Sequence, residues 1–419
     1  SNLLCSMNYP AMATPAHGLP LARRWEQSVL SPQARREAHR RDFFRHGRFR
    51  KPLKVGYVSG DYLQHAVSYF IGQVFKHHDR ARVEIYAYSN NAFQDEVTKR
   101  IRSQVDQWVE VSGISDDHCV ERIRADGIDV LIDLSGHTAY NRLGVFARRA
   151  APVQAHYLGY FASTGLTEMD YWIGDDIITP SEMDKDFSER VWRLPRLYLC
   201  YEENSDAPKP EWRPADHGTL WVGNFCNLAK LTSATFDLWA KVLRSLPQMN
   251  LLLKTKEFAE PGNRQHVISA LVQRGIEASR IELHDRHSTP DWNAHMAFYN
   301  RLDMVLDVVG ANRGATSTCD ALWMGLPVIS MTGDRMADRM TTALLYSIGR
   351  KDFIARNDEE YVSIVHRVAY DIEMRKEMRY YQREQMRQSP ICDGPGLARA
   401  LEDSYETMYK QRGIEKDRG

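Results

Sequence analysis

The sequence predicts an α/β protein with two doubly wound domains and helices at both ends of the chain. From residue 53 onward, buried-strand segments alternate with helical segments, which is typical of parallel sheets covered on both faces. A segment rich in proline and acidic residues, 201–217, interrupts this alternation and indicates an exposed connection. The alternation then restarts, so we expect a second sheet.

In the first half of the chain, short apolar runs predict strands and longer amphipathic runs predict helices. The predicted strands are LKVGYVSGDY, VEIYAYSN, IDVLIDLSG, PVQAHYLGY and DYWIGDD. The predicted helices are HAVSYFIGQVFKHHD and CVERIRADG, the second of which ends at a glycine.

In the second half, the predicted strands are TLWVGNF, NLLLKTK, RIELHDR, DMVLDVV and PVISMTG. The helices between them lie around FDLWAKVLRSL, QHVISALVQRG and NAHMAFYNR, and several amphipathic helices follow. Two sheets of this kind place a cleft between their carboxyl ends, where ligands of such sheets bind. We expect four regions: 1–50 helical, 51–205 the first domain, 206–390 the second domain and 391–419 a C-terminal helix.

The N-terminal region is helical in pattern and rich in arginine, as in SPQARREAHRRDFFRHGRFRK. Such a run is typical of a solvated helix face followed by a linker, although it also suits an acidic partner or nucleic acid. The chain begins SNLLCSMNY without an initiator methionine, so we expect a piece of a longer protein.

Composition narrows the function classes. Lys+Arg and Asp+Glu are both 55, so the net charge is zero, unlike that of a general nucleic-acid binder. The 6 cysteines are scattered without a C-x-x-C pair or a zinc spacing, which favours reduced thiols in the cytoplasm. No apolar run has transmembrane length and no signal peptide is evident. We therefore expect no membrane and no nucleic acid among the partners.

Polar residues follow the first strand of the second domain in GNFCNLAKLT, where Asn224, Asn227 and Lys230 precede a helix. A lysine at a helix start opposes the macrodipole, so Lys230 is better explained if an anion lies beside it. A solvated surface lysine is the alternative.

The segment GATSTCDALWMGLPV has the same placement after DMVLDVV, with Thr316, Ser317 and Thr318 ahead of an apolar helix. Backbone N–H groups at a helix N-terminus bind phosphate, and hydroxyls add donors. Ordinary N-capping needs only one of the three hydroxyls, so the surplus favours a ligand. Asp320 is placed to accept from ribose hydroxyls or to stabilise the first helical turn. The segment is not a Walker A loop.

In the first domain, His65 and His137 each fall between a strand and a helix, where a histidine exchanges a proton near neutral pH. The stretch 159–165 follows another strand and supplies small and hydroxyl residues. A lone loop histidine is more often structural, but the shared position at strand ends favours a site.

Two further features are ambiguous or weak. His295 lies on an amphipathic helix, where packing and stacking against a base are equally good interpretations. Asp184 and Asp186 form a D-x-D in a charged loop, which we assign to the surface, and we expect no metal. There is no G-x-S-x-G elbow for hydrolase chemistry.

Many motifs in register resemble the catalytic region of the protein O-GlcNAc transferase family, which includes SPINDLY-type protein O-fucosyltransferases. The resemblance covers the chain from about Leu53 to its end. The motifs are GYVSGDYLQHAVSYF, DLSGHTAYNRLG, APVQAHYLGYFASTG, MDYWIGD, LPRLYLCY, GNFCNLAKLT, TSTCDALWMGLPV and SPICDGP. The N-terminal segment is similar to the one that follows the family's tetratricopeptide repeats, which this sequence lacks.

The resemblance implies a GT-B fold, in which two Rossmann-like domains hold a nucleotide sugar between them. It implies that Lys230 contacts the diphosphate with Asn227 beside it, and that Thr316 and Ser317 bind phosphate. It also implies that Asp320 holds the ribose and that His295 lies against the base.

For the first domain, the resemblance implies that His65 lies near the sugar and the acceptor hydroxyl. The sugar and acceptor pocket would be lined by His137 and by the stretch 159–165, with Gly159, Tyr160, Ser163 and Thr164. Lys230 and His65 are then the candidate catalytic residues, and the proton of the acceptor goes either to His65 or to a phosphate oxygen of the donor.

Three departures from the family pattern bear on the donor site. Ala315 stands where animal-type members carry His and SPINDLY-type members carry Thr, so one donor group is lost. Trp292 replaces a lysine of animal-type members, and FASTG replaces P-G-T-S-G or P-N-T-T-G. HAVSYF, SGHTAYN and NLAK are closer to SPINDLY, but bacterial members share them.

The resemblance therefore predicts an inverting, metal-independent glycosyltransferase that moves GlcNAc from UDP-GlcNAc to Ser or Thr of proteins. A fucosyltransferase that uses GDP-fucose is the first alternative. A degenerate module that binds peptides or nucleotides without turnover is a second, motivated by Ala315 and Trp292. A nucleotide-sugar epimerase or a small-molecule glycosyltransferase ranks last.

Overall fold

Two parallel sheets, one in each of two structural units, carry the fold. The structure is a computed structural model that describes residues 1–7, 15–41, 43, 51–203, 206–212 and 218–417. The first unit takes in the described chain up to Glu202 together with the segment from Asp393 onward. The second unit runs from Glu203 to Cys392. The predicted α/β class with two Rossmann-like domains is confirmed.

The sheet of the first unit is parallel at every strand pair and reverses its strand order at its first strand. The strands are β1 (Leu53–Ser59), β2 (Val83–Ser89), β3 (Gln107–Glu110), β4 (Val130–Asp133), β5 (Val153–Tyr157), β6 (Tyr171–Asp175) and β7 (Arg190–Leu194). Their order is β3-β2-β1-β4-β5-β6-β7. Val55 of β1 pairs with Ile85 on one side and with Val130 on the other, so the reversal lies between β1 and β4.

Helices connect these strands, and their ends follow local sequence signals. They are α1 (Asn2–Ser6), α2 (Pro15–Val29), α3 (Pro32–Arg40), α4 (Ala66–His77), α5 (Glu96–Arg102), α6 (Asp116–Asp126) and α7 (Leu143–Ala147). The Ser115 side chain caps α6 by accepting the His118 N–H, and Gly127 ends that helix at a φ of 70°. Much of the predicted helical region 1–50 is described as α1 to α3, but residues 8–14, 42 and 44–50 lie outside the described residues.

The second unit repeats this design with a smaller parallel sheet. Its strands are β8 (Leu220–Asn224), β9 (Met249–Lys254), β10 (Ile281–His284), β11 (Met304–Leu306), β12 (Val328–Met331) and β13 (Ile354–Ala355). Their order is β10-β9-β8-β11-β12-β13, so the order reverses between β8 and β11. The carboxyl ends of β8 and β11 are therefore the edge at which a ligand of this sheet is expected.

The helices of the second unit are α8 (Ser233–Ser245), α9 (Pro261–Val272), α10 (Trp292–Phe298), α11 (Thr316–Trp323), α12 (Met340–Ser347), α13 (Asp358–Tyr370) and α14 (Ile372–Arg387). The last helix, α15 (Gly394–Asp417), belongs to the first unit rather than to the second. In the described part of the chain, no helix combines the length and the apolar character needed to cross a membrane.

A buried polar chain attaches α15 to the first unit. The Nδ1–H of His78 donates to Glu402 Oε1 at 2.9 Å, and the Asp79 N–H donates to the same oxygen at 2.8 Å. On the other side of the imidazole, the Tyr57 hydroxyl donates to His78 Nε2 at 2.8 Å and lies 3.0 Å from the Tyr405 hydroxyl. The side chains of His78 and Glu402 have no exposed surface, so each needs its partner.

The charge states in this chain follow from burial and hydrogen bonding. Burial works against the charged form of Glu402, but donors on His78, Arg399 and Asp79 outweigh it and lower the pKa of the carboxyl to about 2. Burial lowers the pKa of His78, so the imidazole stays neutral. Because the folded pKa of Glu402 lies below its unfolded value, its contribution to stability is present above the unfolded pKa. That contribution is lost as the pH falls toward 2.

We expect Glu402→Ala to lower the free energy of unfolding by about 3 kcal/mol or more, because it leaves a buried imidazole and a backbone N–H without their acceptor. The measurement is urea denaturation at neutral pH. Asp403→Ala is the matched control on the same helix: Asp403 pairs with Arg82 at 2.7 Å but is 70% exposed, and its loss costs under about 1 kcal/mol. Equal losses in the two variants would contradict this account of α15.

Candidate functional site

Lys230 is the central cation at the carboxyl edge of the second sheet. It ends a short 3₁₀ turn, Leu228–Lys230, that lies between β8 and α8. Its Nζ donates to the backbone oxygen of Arg313 at 3.3 Å, and no carboxylate among the described residues forms an ion pair with it. Burial lowers the pKa of this ammonium group, against a smaller opposing effect of Cys226 and Asp307. A desolvated ammonium without an ion-pair partner is stabilised by a bound anion.

Asn227 shapes the turn that carries Lys230. Its Oδ1 accepts the Ala229 N–H at 2.8 Å, and its Nδ2 donates to Glu257 Oε1 at 3.1 Å. The residue is exposed and lies in the same turn as Lys230. Its contact with a ligand stays a prediction.

The three hydroxyl residues at the start of α11 have different environments. The N-cap residue is Ala315, and no side chain caps the first turn. Thr318 is buried, and its Oγ1 donates to the Gly314 backbone oxygen at 2.8 Å, so it serves the fold. Thr316 and Ser317 are half-buried, and the described structure gives their hydroxyls no partner. Two free hydroxyls and uncapped N–H groups therefore share the positive end of α11.

Hydrogen bonds join the loop after β8 to the loop after β11. Thr232 Oγ1 and Thr235 Oγ1 donate to the Val309 backbone oxygen at 2.7 and 2.8 Å. Together with the bond from Lys230 to the Arg313 oxygen, these contacts hold Lys230 beside the segment that leads into α11. The structure thus brings the predicted phosphate-binding residues of the two loops to one edge.

Arg313 is a second cation at this edge, and sequence reasoning missed it. Its guanidinium is buried, with Nη2 donating to the Met331 oxygen at 2.9 Å and Nε lying 4.0 Å from Asp307 Oδ2. Its Nη1 is buried without a hydrogen-bond partner among the described residues. An arginine inside a glycine-rich turn, ANRGA, is the signal that was available in the sequence.

His295 on α10 contacts a buried lysine. Lys254 is the last residue of β9, and its Nζ donates to His295 Nδ1 at 2.7 Å. Burial and the charge of Lys254 lower the pKa of His295 to about 4, so its ring is neutral. Lys254 itself was missed, although a charged residue that ends the apolar run NLLL is a usable signal.

Aromatic rings surround His295 on the same edge. Its ring centroid lies 5.9 Å from that of Phe225 and 5.7 Å from that of Tyr299. Asp320 is buried within α11, and its charge adds to the effect of burial in raising the pKa of Tyr299. Predicted contacts of His295 with a base and of Asp320 with a ribose stay predictions.

In the first unit, His65 is the N-cap of α4. Its Nδ1 accepts the Val67 N–H at 3.3 Å and lies 3.8 Å from Asp61 Oδ2. Because that nitrogen accepts, the neutral ring carries its proton on Nε2. The side chain is 45% exposed, so this N–H is open to a ligand.

Buried carboxylates hold the loops at the carboxyl edge of the first sheet. Asp133 ends β4 and accepts from the N–H groups of Ser135 and Gly136 at 3.1 and 2.8 Å. Its Oδ2 also lies 2.8 Å from Nδ1 of the buried His156. Asp61 is nearby, and burial raises the pKa of its carboxyl with a further contribution from Asp133.

Contacts with other residues of the first unit fix the conformation of the predicted pocket stretch 159–165. Gly159 is required because a Cβ there would lie 1.8 Å from the Leu134 backbone oxygen. Glu189, which sequence reasoning missed, accepts from Ser163 Oγ at 2.7 Å and from the Thr164 N–H at 2.7 Å. The Thr164 hydroxyl donates to the same carboxylate, and both hydroxyl side chains are buried.

His137 and Tyr160 are buried as well. His137 Nε2–H donates to the Thr164 backbone oxygen at 2.8 Å, and burial lowers the pKa of the ring to about 4. The Tyr160 hydroxyl donates to the Leu4 oxygen at 3.3 Å. These internal partners pack the two side chains and shape the loop, and the predicted place of both residues in a sugar and acceptor pocket stays a prediction.

Within the described residues, no group of three or more His, Cys, Asp or Glu side chains is placed to hold a metal ion. Asp184 and Asp186 lie in the short turn Ser181–Asp186, and Asp184 pairs with Arg193, in keeping with a surface role.

The chain is similar to known proteins in both sequence and structure. The sequence model of glycosyl transferase family 41 matches residues 33–205 and 214–399. A relative from Solanum lycopersicum, described as a probable UDP-N-acetylglucosamine–peptide N-acetylglucosaminyltransferase SPINDLY, is 36% identical over 373 residues. A protein of the same description from Arabidopsis thaliana is 35% identical over 373 residues. The predicted resemblance is confirmed.

A solved structure, a mutant of the O-GlcNAc transferase of Thermobaculum terrenum, superposes with a TM-score of 0.89 at 33% identity. That match covers 99% of this chain and 78% of the other, so the predicted GT-B fold is confirmed. The matches to the two plant proteins cover 86% of this chain but only 39% and 40% of the relatives. The chain thus spans about two fifths of their length.

We expect His65→Ala to lower the free energy of unfolding by about 1 kcal/mol, because α4 loses its N-cap. His65→Asn keeps a side-chain acceptor at that position and is expected to unfold like the parent in urea. A ¹⁵N NMR measurement of the parent should find the His65 proton on Nε2. A proton on Nδ1, or equal stability of the Ala variant, would contradict the capping role.

Proposed function

This chain belongs to glycosyl transferase family 41, and we propose that it moves N-acetylglucosamine from UDP-N-acetylglucosamine to Ser or Thr hydroxyls of proteins. The names of its relatives from Solanum lycopersicum and Thermobaculum terrenum support this donor over GDP-fucose. The reaction is a single displacement that inverts the anomeric carbon. The acceptor oxygen forms the new bond while the bond to the diphosphate breaks.

The observation that carries the proposal is the pairing of Lys230 with the uncapped start of α11. The ammonium of the half-buried Lys230, the hydroxyls of Thr316 and Ser317 and the N-terminal helix dipole lie on two loops that are hydrogen bonded to each other. A diphosphate has the charge and the acceptor oxygens to satisfy all of them.

The same groups provide catalysis. Negative charge grows on the leaving diphosphate as the anomeric bond breaks, and preorganised donors stabilise that charge more than they stabilise the intact donor. Lys230 contributes most, because its ammonium is partly desolvated and its interaction with an anion is correspondingly strong. We propose that this stabilisation needs no metal ion.

The geometry of His65 bears on the identity of the base. With its Nδ1 lone pair directed at the Val67 N–H, the exposed Nε2–H donates a hydrogen bond rather than accepting a proton. We therefore assign to His65 the orientation of a substrate oxygen and to a donor phosphate oxygen the uptake of the acceptor proton. His65→Asn also tests this assignment. It keeps an acceptor for the N-cap bond of α4, but it removes the imidazole Nε2–H that we propose as the donor to a substrate oxygen.

The nucleoside is proposed to lie against the cluster of Phe225, His295 and Tyr299. A neutral imidazole stacks on a uracil ring without the cost of a buried charge, and we propose that Asp320 of α11 accepts from the ribose. The remaining partner is a protein or peptide acceptor in the cytoplasm, with no role for nucleic acid or membrane.

We expect Lys230→Ala to reduce transfer about 100-fold or more, a loss of about 3 kcal/mol in transition-state stabilisation, while the protein stays folded. The measurement is transfer of radiolabelled GlcNAc to a protein acceptor. Lys241→Ala is the matched control, since Lys241 is a lysine of α8 whose partner is Asp358 on the surface. Near-normal turnover of the Lys230→Ala variant would contradict the assignment of Lys230 to the leaving diphosphate.

The donor is tested by isothermal titration with UDP, UDP-GlcNAc, GDP and GDP-fucose, each with EDTA present. We expect the uridine ligands to bind and the guanosine ligands to bind weakly, because the base site is a compact aromatic cluster and the phosphate site works without metal. Binding of GDP-fucose in preference to UDP-GlcNAc would assign the fucosyltransferase alternative. Binding without transfer to any protein would assign a binding module.

A further inference from the structure

A cavity of about 450 Å³ lies in the first unit, and the proposed reaction does not use it. The helices α2 and α3, residue Ala147 and the segment Thr167–Glu168, between β5 and β6, line it. All these residues belong to the first unit.

Three arginines of α3 line this cavity and lack acidic partners. Arg35 is half-buried, and Arg36 and Arg40 are exposed. In the part of the chain that the structure describes, none of the three guanidinium groups has a hydrogen bond or an ion pair. Guanidinium groups that line a concave site without a partner are suited to carboxylate or phosphoryl oxygens.

The two acids of the cavity wall are already engaged. Glu26 is buried, and its oxygens accept the N–H and the hydroxyl of Thr167 at 2.7 and 2.8 Å. Glu168 is buried too, with Oε1 3.1 Å from His39 Nδ1 and Oε2 3.6 Å from Arg149 Nη1. Among the described residues, neither carboxylate forms an ion pair with the three arginines.

Further positive charge lies next to this site. Arg41 follows α3, and its charge adds to burial in lowering the pKa of Arg124 to about 10. Glu121 and Asp117 of α6 act in the opposite direction on Arg124. Arg41 and Arg124 therefore add two cations near α3.

We propose that this cavity binds an anionic peptide segment through Arg35, Arg36 and Arg40. The ligand chemistry is a side-chain carboxylate or phosphoryl group on an extended peptide. A cavity of this volume accommodates a few side chains rather than a nucleic-acid helix.

We assign the peptide to a part of the acceptor protein remote from the reacting hydroxyl, because the loop from β5 to β6 that lines the cavity begins at the carboxyl edge of the sheet. Thr167 follows Thr164, in the predicted acceptor stretch, by three residues, so their Cα atoms are at most about 11 Å apart. Gly165 packs on α2, where a Cβ would lie 2.4 Å from the Ala22 Cβ. This identification rests on the proposed function, whereas binding of an anionic peptide does not.

The test is fluorescence anisotropy of a labelled polyglutamate peptide and of a labelled phosphoserine peptide, without any sugar donor. We expect both to bind the parent, with affinity that falls as salt rises, and a polylysine peptide not to bind. The triple variant Arg35→Gln, Arg36→Gln, Arg40→Gln should bind about tenfold more weakly or worse. Its thermal melting should match that of the parent, because none of the three side chains has a partner to lose.

The matched control removes the same charge from exposed positions of the first unit: Lys76→Gln, Lys185→Gln, Arg190→Gln. It should keep the parent affinity. Equal weakening of both triple variants would overturn the site, because it would reduce the effect to net charge. Displacement of the peptides by inorganic phosphate at equal concentration would overturn the peptide assignment. So would a labelled oligodeoxythymidine that binds more tightly than either peptide and is lost in the arginine variant.

Acceptor assays separate this inference from the proposed function. With an acidic acceptor, the arginine variant should raise KM and leave kcat unchanged, since the reacting atoms are untouched. Unchanged KM would overturn the acceptor role. Lack of turnover by the parent enzyme would overturn the proposed function while the anisotropy result stands.

Discussion

The desolvated ammonium of Lys230 is the constraint on which the edge of the second sheet depends. It has a backbone oxygen of Arg313 as its hydrogen-bond acceptor and no ion-pair partner among the described residues. Burial lowers the pKa of this ammonium group, against an opposing effect of Cys226 and Asp307, so an anion beside it stabilises the charged form. The hydroxyls of Thr316 and Ser317 and the N-terminal dipole of α11 lie at the same edge, so these groups are complementary to an anion that carries several oxygens.

In the first unit, by contrast, two buried carboxylates have their hydrogen-bond partners within the protein. Its carboxylates Asp133 and Glu189 are buried, and backbone N–H groups and hydroxyls surround them. Asp133 fixes the turn at the carboxyl edge of the sheet, and Glu189, which directly precedes β7, fixes residues 163–164 at the amino edge. His65 differs from these carboxylates, because its cap bond uses one ring nitrogen and leaves the other exposed. The polar groups at the edge of the second unit are thus suited to bind an anion, whereas the buried carboxylates of the first unit fix the shape of its loops.

Particular residues show how far sequence reasoning reached. The strand and helix patterns predicted most of both sheets, because a parallel sheet buries its strands as continuous apolar runs. Short or partly exposed elements such as β3, β7 and β13 were missed, since QWVE, RVWRL and IA carry too little apolar pattern. The return of α15 to the first unit was missed as well. It depends on a hydrogen bond between His78 and Glu402, which are 324 residues apart.

The functional-site residues also divide into those that the sequence predicted and those that only the structure revealed. The sequence by itself determined the fold class, the family and the position of Lys230 and the hydroxyl run at strand ends, because these are local patterns of residue type and order. Only the tertiary structure decided that Thr318 serves the fold, that His137 is buried and that Lys254 and Arg313 join the edge. It also decided that the arginines of α3 line a cavity. Burial and hydrogen-bond partners arise from distant segments that pack together, and a linear pattern carries no record of that packing.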